Sequence, residues 1–254
     1  MRLMDAFVIA FSTYSRIPMP RAAWSEESRR YAMCFFPLVG ALVGLLLWGW
    51  LALCDALGVG PVLRGAAGAL IPLLVTGGIH MDGLMDTSDA LASWQPPKRR
   101  LEILKDSHTG AFAVMACAGY LLLTTGLLSE ADAVAGRLLA PCFVFSRAMS
   151  AAALTVMRSA RPGGMLDGFA RAAHRRAVCL SSGTYAVLCI GLWLVLGGTV
   201  LTAACLLAAA LCALGFARMA QRQFGGITGD LAGWLVQIAE LCLTAVIVMG
   251  GMLT

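Results

Sequence analysis

Long apolar runs alternate with short polar segments along nearly the whole chain. Residues 177–217 and 107–129 contain no Asp, Glu, Lys or Arg, and 31–63 contain only Asp55. Seven apolar runs stand out, at 31–54, 61–79, 110–128, 138–157, 179–196, 199–217 and 231–253. Each is close to the roughly 20 residues an α-helix needs to cross the hydrocarbon core of a bilayer. An outer-membrane barrel would instead show alternating strands of about ten residues. The pattern predicts an all-α, polytopic integral membrane protein of about seven transmembrane helices, one transmembrane domain over 1–254. Gly197-Gly198-Thr199 predicts a tight hairpin between the fifth and sixth runs. Residues 1–30 are read as an N-terminal segment on the cytoplasmic side. Its first part, Met1 to Ser15, is too short for a signal peptide and lacks a cleavage site; it is expected to be amphipathic or re-entrant. Segments 80–109 and 158–178 are read as cytoplasmic loops.

Composition agrees. The chain of 254 residues is 59% apolar and 13% charged, against about 25% charged in an ordinary globular domain. With a mean hydropathy of +0.81, a water-soluble fold is excluded. The net charge of +5 resides in 17 Arg and two Lys. With the N-terminus inside, 16 of the 19 basic residues fall on the inner side, so the positive-inside rule selects a cytoplasmic N-terminus. That charge is loop bias and not a nucleic-acid surface. The nine cysteines form no CxxC pair and lie in or beside apolar runs; they read as small buried residues, not as disulfides or a zinc site.

In that topology every polar motif faces the cytoplasm, and the outer loops are nearly empty. The densest motif runs from Gly77-Gly78-Ile79-His80-Met81-Asp82 to Asp86-Thr87-Ser88-Asp89. Asp82, Asp86 and Asp89, at i, i+4 and i+7, share one helix face. Three like charges at a membrane boundary call for a cation, and hard oxygen donors suit Mg²⁺ or Mn²⁺, especially beside a phosphate. An isolated pattern of this kind is equally a solvated acidic helix end. His80 is a candidate general base or phosphate-orienting group, or a polar boundary residue. Lys105-Asp106-Ser107 with Gly110 combines a cation, a carboxylate and a hydroxyl where the third run begins. Arg161, before Pro162-Gly163-Gly164, can grip phosphate bidentately. Arg147 lies inside an apolar run, where a charge needs a partner or a cavity; Glu240, equally deep, is a candidate partner. Gly225-Gly226-Ile227-Thr228-Gly229-Asp230 repeats the Gly-Gly-Ile-x-x-Asp pattern of 77–82, which would set two carboxylates at one depth.

Taken together, these motifs resemble the adenosylcobinamide-GDP ribazoletransferase (cobalamin synthase) family. The resemblance is carried by Ser15-Arg16-Ile17-Pro18 with Phe35-Phe36-Pro37-Leu38-Val39-Gly40, by the Gly77–Asp89 block, by Lys105-Asp106-Ser107 with Gly110, by Ala160-Arg161-Pro162 with Gly164, and by Gly225–Asp230. The order holds over nearly the whole chain. Ala113 stands where the family more often has glycine, and Gly163 where an acidic residue is usual. The resemblance implies a bacterial inner-membrane enzyme with its site facing the cytoplasm, Mg²⁺ as cofactor, and adenosylcobinamide-GDP and α-ribazole or its phosphate as substrates. Self-association and association with other late cobalamin-pathway enzymes stay open. On this reading Asp82, Asp86 and Asp89 hold the metal, with Asp106 and Asp230 completing its shell. Lys105 and Arg161 hold phosphate oxygens, and His80 or one of the aspartates takes the hydroxyl proton. Gly77, Gly78, Ser107, Arg147, Gly225, Gly226 and Thr228 are the expected substrate-binding positions. The residues alone also admit a CDP-alcohol-type phosphotransferase or, on another principle, a divalent-cation or corrinoid transporter.

Overall fold

Helices form wherever the apolar runs lie, and glycine and capping residues set their ends. A computed structural model describes residues 2–161 and 173–252. Among these are nine helices: α1 (Arg2–Tyr14), α2 (Glu26–Leu57), α3 (Pro61–Thr76), α4 (Ile79–Ala92), α5 (Pro97–Ile103), α6 (Ala111–Ser129), α7 (Ala133–Val156), α8 (Arg175–Phe224) and α9 (Gly229–Met252). No strand occurs among the described residues; Ser159 and Ile227 form a lone bridge. Ser25 caps α2 by accepting from the Ser28 amide, ahead of Glu26 and Glu27, an arrangement that suits the positive end of the helix dipole. Gly77 and Gly78 both have left-handed backbone (φ 68° and 80°), which glycine adopts without strain. They turn α4 by 97° from the axis of α3.

A straight helix of 50 residues would be about 75 Å long, far more than the bilayer core of about 30 Å. α8 instead breaks at Gly198 (φ 75°, ψ −178°). Its first arm runs back along α7: Cys179 meets Thr155 at 3.7 Å and the Trp193 indole donates to Leu138 O at 3.0 Å. Its second arm runs back along α9: Leu201 lies beside Gly250, Cys212 beside Cys242 and Phe216 against Trp234. The hairpin expected at 197–199 is therefore present. Five helices are long and apolar enough to cross a membrane, and the second apolar run lies on α3, which bends by 97° into the polar α4. With α8 counted as two arms, all seven apolar runs fall in helical segments. The protein is an all-α polytopic membrane protein, and Leu122, Leu180, Val195 and Val200 are among the side chains it exposes.

Helices approach closely where glycine allows it. A Cβ at Gly44 of α2 would sit 2.5 Å from the Ala140 carbonyl of α7, the small-residue contact typical of membrane bundles. Deep between α7 and α9, Arg147 pairs with Glu240, the partner its sequence position called for. Ser146 Oγ donates to the same carboxylate at 3.0 Å, and Arg147 also donates to Phe143 O at 2.9 Å. The polar segments collect at one end of the bundle. There Arg16 N donates to Val75 O (2.8 Å), His174 N to Arg30 O (3.1 Å) and Arg161 Nη2 to Leu101 O (3.3 Å). At the opposite end Arg64 bonds Asp55 at 2.9 Å and Ala131 O at 3.1 Å.

Candidate active site

The two Gly-Gly-Ile-x-x-Asp segments build the polar end. Gly77 and Gly78 turn the chain from α3 into α4; Gly225 (φ 75°) and Gly226 (φ 156°) turn it from α8 into α9. The second turn is clasped to the 158–161 segment, with Ile227 N donating to Arg158 O and Ala160 N to Ile227 O, both at 2.9 Å. A Cβ on Gly226 would collide with Arg158 O. α4 then lies directly across the start of α9. A Cβ on Gly83 would stand 2.5 Å from Asp230 O, and one on Gly233 3.2 Å from the His80 Cα. Two glycines thus bring Asp82 and Asp86 of α4 up to Asp230 of α9.

Outside the spanning segments, on α4, the Asp86 carboxyl is pushed up to about 6, first by burial and then by the negative charges of Asp82, Asp230 and Asp89. Arg161 is within electrostatic reach of Asp230, and Thr228 hydrogen-bonds it. The Thr228 hydroxyl also accepts from the Leu231 amide at 3.3 Å at the start of α9. Asp89 has another duty. Its carboxylate accepts from the amides of Gly110 (2.6 Å) and Ala113 (2.9 Å) at the start of α6. Either glycine or alanine at 113 can supply that amide. Lys105, Asp106 and Ser107 are exposed on the loop after α5, where Asp106 accepts from His108 N (3.0 Å) and contacts its Nδ1 (2.6 Å). The structure therefore gathers Asp82, Asp86, Asp230, Thr228 and Arg161, and leaves Lys105, Asp106 and Ser107 apart. Arg147 is turned to Glu240. Pro162, Gly163 and Gly164 lie outside the described residues.

His80 is 4% exposed, and neither ring nitrogen has a hydrogen-bond partner. Burial, with Arg147 adding to it, pushes the imidazole pKa down. It sits 6.4 Å from the Tyr14 ring, nearly parallel, and 5.6 Å from the Phe36 ring. A cavity of about 280 Å³ opens there, lined by Thr13, Tyr14, Phe36, His80, Asp82 and Asp230 among others. Tyr14 and Phe36 come from α1 and α2, and no spacing in the sequence ties them to the acidic block. Only the Phe35-Phe36-Pro37 stretch hinted at them.

Among the described residues no three His, Cys, Asp or Glu side chains enclose a metal ion by themselves. A fit to Mg²⁺ does not demand that they do. This ion keeps several waters and takes one or two carboxylates plus substrate phosphate oxygens. Crowded carboxylate oxygens, one of them raised in pKa by its neighbours, are the donor set such an ion relieves.

Fold and site define a polytopic membrane protein that concentrates its polar chemistry at one end of a helical bundle. The chain belongs to the cobalamin-5-phosphate synthase family, whose model matches residues 6–248. Proteins named adenosylcobinamide-GDP ribazoletransferase are similar to it over nearly their whole length. The one from Lachnoclostridium phytofermentans is 41% identical over 95% of this chain and 92% of its own. That from Desulfitobacterium hafniense is 36% identical over 92% and 91%, and that from Brucella ovis 34% over 92% and 93%. No solved structure matches the chain significantly.

Proposed function

We propose that the protein is a transferase that moves the cobinamide-phosphate group of adenosylcobinamide-GDP to α-ribazole or its 5′-phosphate, giving adenosylcobalamin or its 5′-phosphate and GMP. The observation that carries this is the family match over residues 6–248, and the meeting of the two Gly-Gly-Ile-x-x-Asp turns supports it. A ribose hydroxyl oxygen bonds to the phosphorus attached to cobinamide, the bond from that phosphorus to the bridging oxygen breaks, and GMP leaves with the electron pair. The hydroxyl proton passes to a site carboxylate that is not holding the ion. Arg161, beside Asp230, holds a phosphate oxygen and offsets charge that grows on the leaving group. Asp82, Asp86 and Asp230 are the proposed holders of Mg²⁺, which supplies charge neutralisation on the diphosphate. Asp89 acts one step back, fixing α4 to α6. Positioning the hydroxyl against the diphosphate supplies much of the rate. The distribution of basic residues supports a cytoplasm-facing site in the bacterial inner membrane.

The test is a product assay in nanodiscs with adenosylcobinamide-GDP and α-ribazole. GMP should appear in step with the cobalamin product and disappear with EDTA. Asp82→Ala should lose 10²-fold or more in rate, roughly 3 kcal/mol of transition-state stabilisation. CMP release from a CDP-lipid, without GMP release, would overturn the reading.

A further inference from the structure

The cavity lined in part by Asp82 and Asp230 also holds one buried side chain, His80, whose polar atoms have no hydrogen-bond partner. Its hydroxyl-bearing walls are engaged: Thr13 donates to Ile9 O at 2.7 Å, the Tyr14 hydroxyl to the Met33 sulfur at 3.4 Å, and Ser150 to Ala232 O at 3.1 Å. His80, buried among rings, has both nitrogens free. Buried polar groups are nearly always satisfied, so an unpartnered imidazole on a residue that lines a cavity points to a ligand contact. The remaining surface comprises the Tyr14 and Phe36 rings with Leu154, Ala232 and Gly233. At about 280 Å³ the space lies near the lower end of the ~300–1,000 Å³ of small-molecule sites. It suits a bicyclic ring system and excludes a corrin.

We propose that this cavity is the subsite for the base of the acceptor nucleoside, a bicyclic benzimidazole-type ring whose single free nitrogen accepts the N–H of His80 while Tyr14 and Phe36 pack against the ring. This rests on the ribazole-transfer reading. An imidazole carries at least one N–H donor, and that donor meets the ring nitrogen. That places the ribose toward Asp82 and Asp230, where the attacking hydroxyl is needed. Guanine is the competing occupant. It would be recognised through the carboxylates of Asp82 or Asp230, which also line the cavity, so changes at His80 would then weaken adenosylcobinamide-GDP binding.

Equilibrium binding in nanodiscs, without the cobinamide substrate, tests this independently of turnover. The probes are α-ribazole and the matching indole riboside, which replaces the free ring nitrogen by carbon. The wild type should prefer α-ribazole about tenfold or more, since sites built to hydrogen-bond a group reject the analogue that lacks it. His80→Phe should abolish that preference by weakening α-ribazole alone, and His80→Gln, which keeps an N–H donor, should restore part of it. Tyr14→Leu should weaken both ribosides alike. Adenosylcobinamide-GDP binding should change less than twofold in every variant. The assignment falls if His80→Phe keeps the preference, or if it weakens adenosylcobinamide-GDP instead. GMP release by the wild type is scored separately. Its absence with intact riboside discrimination overturns the transfer reaction and leaves the base subsite standing.

Discussion

Asp86 and Asp89 stand one turn apart on α4 and have opposite surroundings. Asp89 has two backbone amides to neutralise it; Asp86 has chiefly other carboxylates. Its ordinary value of 3.8 rises to about 6, so the folded state prefers it protonated. That contribution is present below about pH 4 and is lost as pH rises through about 6. Metal-free protein should therefore melt at a lower temperature at pH 7 than at pH 5, and Asp86→Asn should flatten the difference. If the proposed site holds Mg²⁺, the ion should raise the midpoint at pH 7 and do little at pH 5, because a protonated carboxyl binds metal poorly. A thermal shift series in detergent with EDTA or Mg²⁺ measures all of this. The buried Arg147–Glu240 pair gives a second expectation at the same scale. Arg147→Ala should cost about 3–5 kcal/mol by stranding a carboxylate, whereas Arg147→Met with Glu240→Leu should cost much less. Denaturation midpoints of the three proteins decide it.

Between elements, glycine controls what the aspartates can do. Gly83→Ala puts a methyl 2.5 Å from Asp230 O and must push α4 off α9. GMP release should fall more than tenfold, with about 1–3 kcal/mol of stability lost to overpacking. Gly119→Ala on α6 meets open space and should be silent in both assays. This crossing also shows where sequence reading stops. The seven apolar runs, the reversal at Gly198 and the need of Arg147 for a counter-charge could all be read locally, from hydropathy and the cost of a charge in lipid. The shared face of Asp82, Asp86 and Asp89 was legible too. What Asp89 faces was not, because the amides at 110 and 113 reach it only after α6 packs beside α4. The Tyr14 and Phe36 walls were hidden for the same reason. On the apolar α2 no period marks Phe36 as a ring that turns inward, and no spacing ties Tyr14 on α1 to the acidic block.

At the scale of the molecule, polar function is confined to one end of the bundle. The proposed orientation makes that end cytoplasmic, and thiol labelling checks it. Ser107→Cys, on the exposed loop after α5, should react with an impermeant maleimide only after cells are permeabilised. Glu130→Cys, at the far end of α6, should react from outside. The opposite result would reverse the topology. Native cysteines are buried or half-buried, so their background is small. The dimensions of the cavity have a further consequence. A pocket of about 280 Å³ can swallow a nucleoside's ring but never a cobalt macrocycle. With the base in that pocket, the macrocycle stays outside it and offers its phosphorylated tail toward Asp82 and Asp230. Changes to the macrocycle's rim should then be tolerated far better than changes to the small partner.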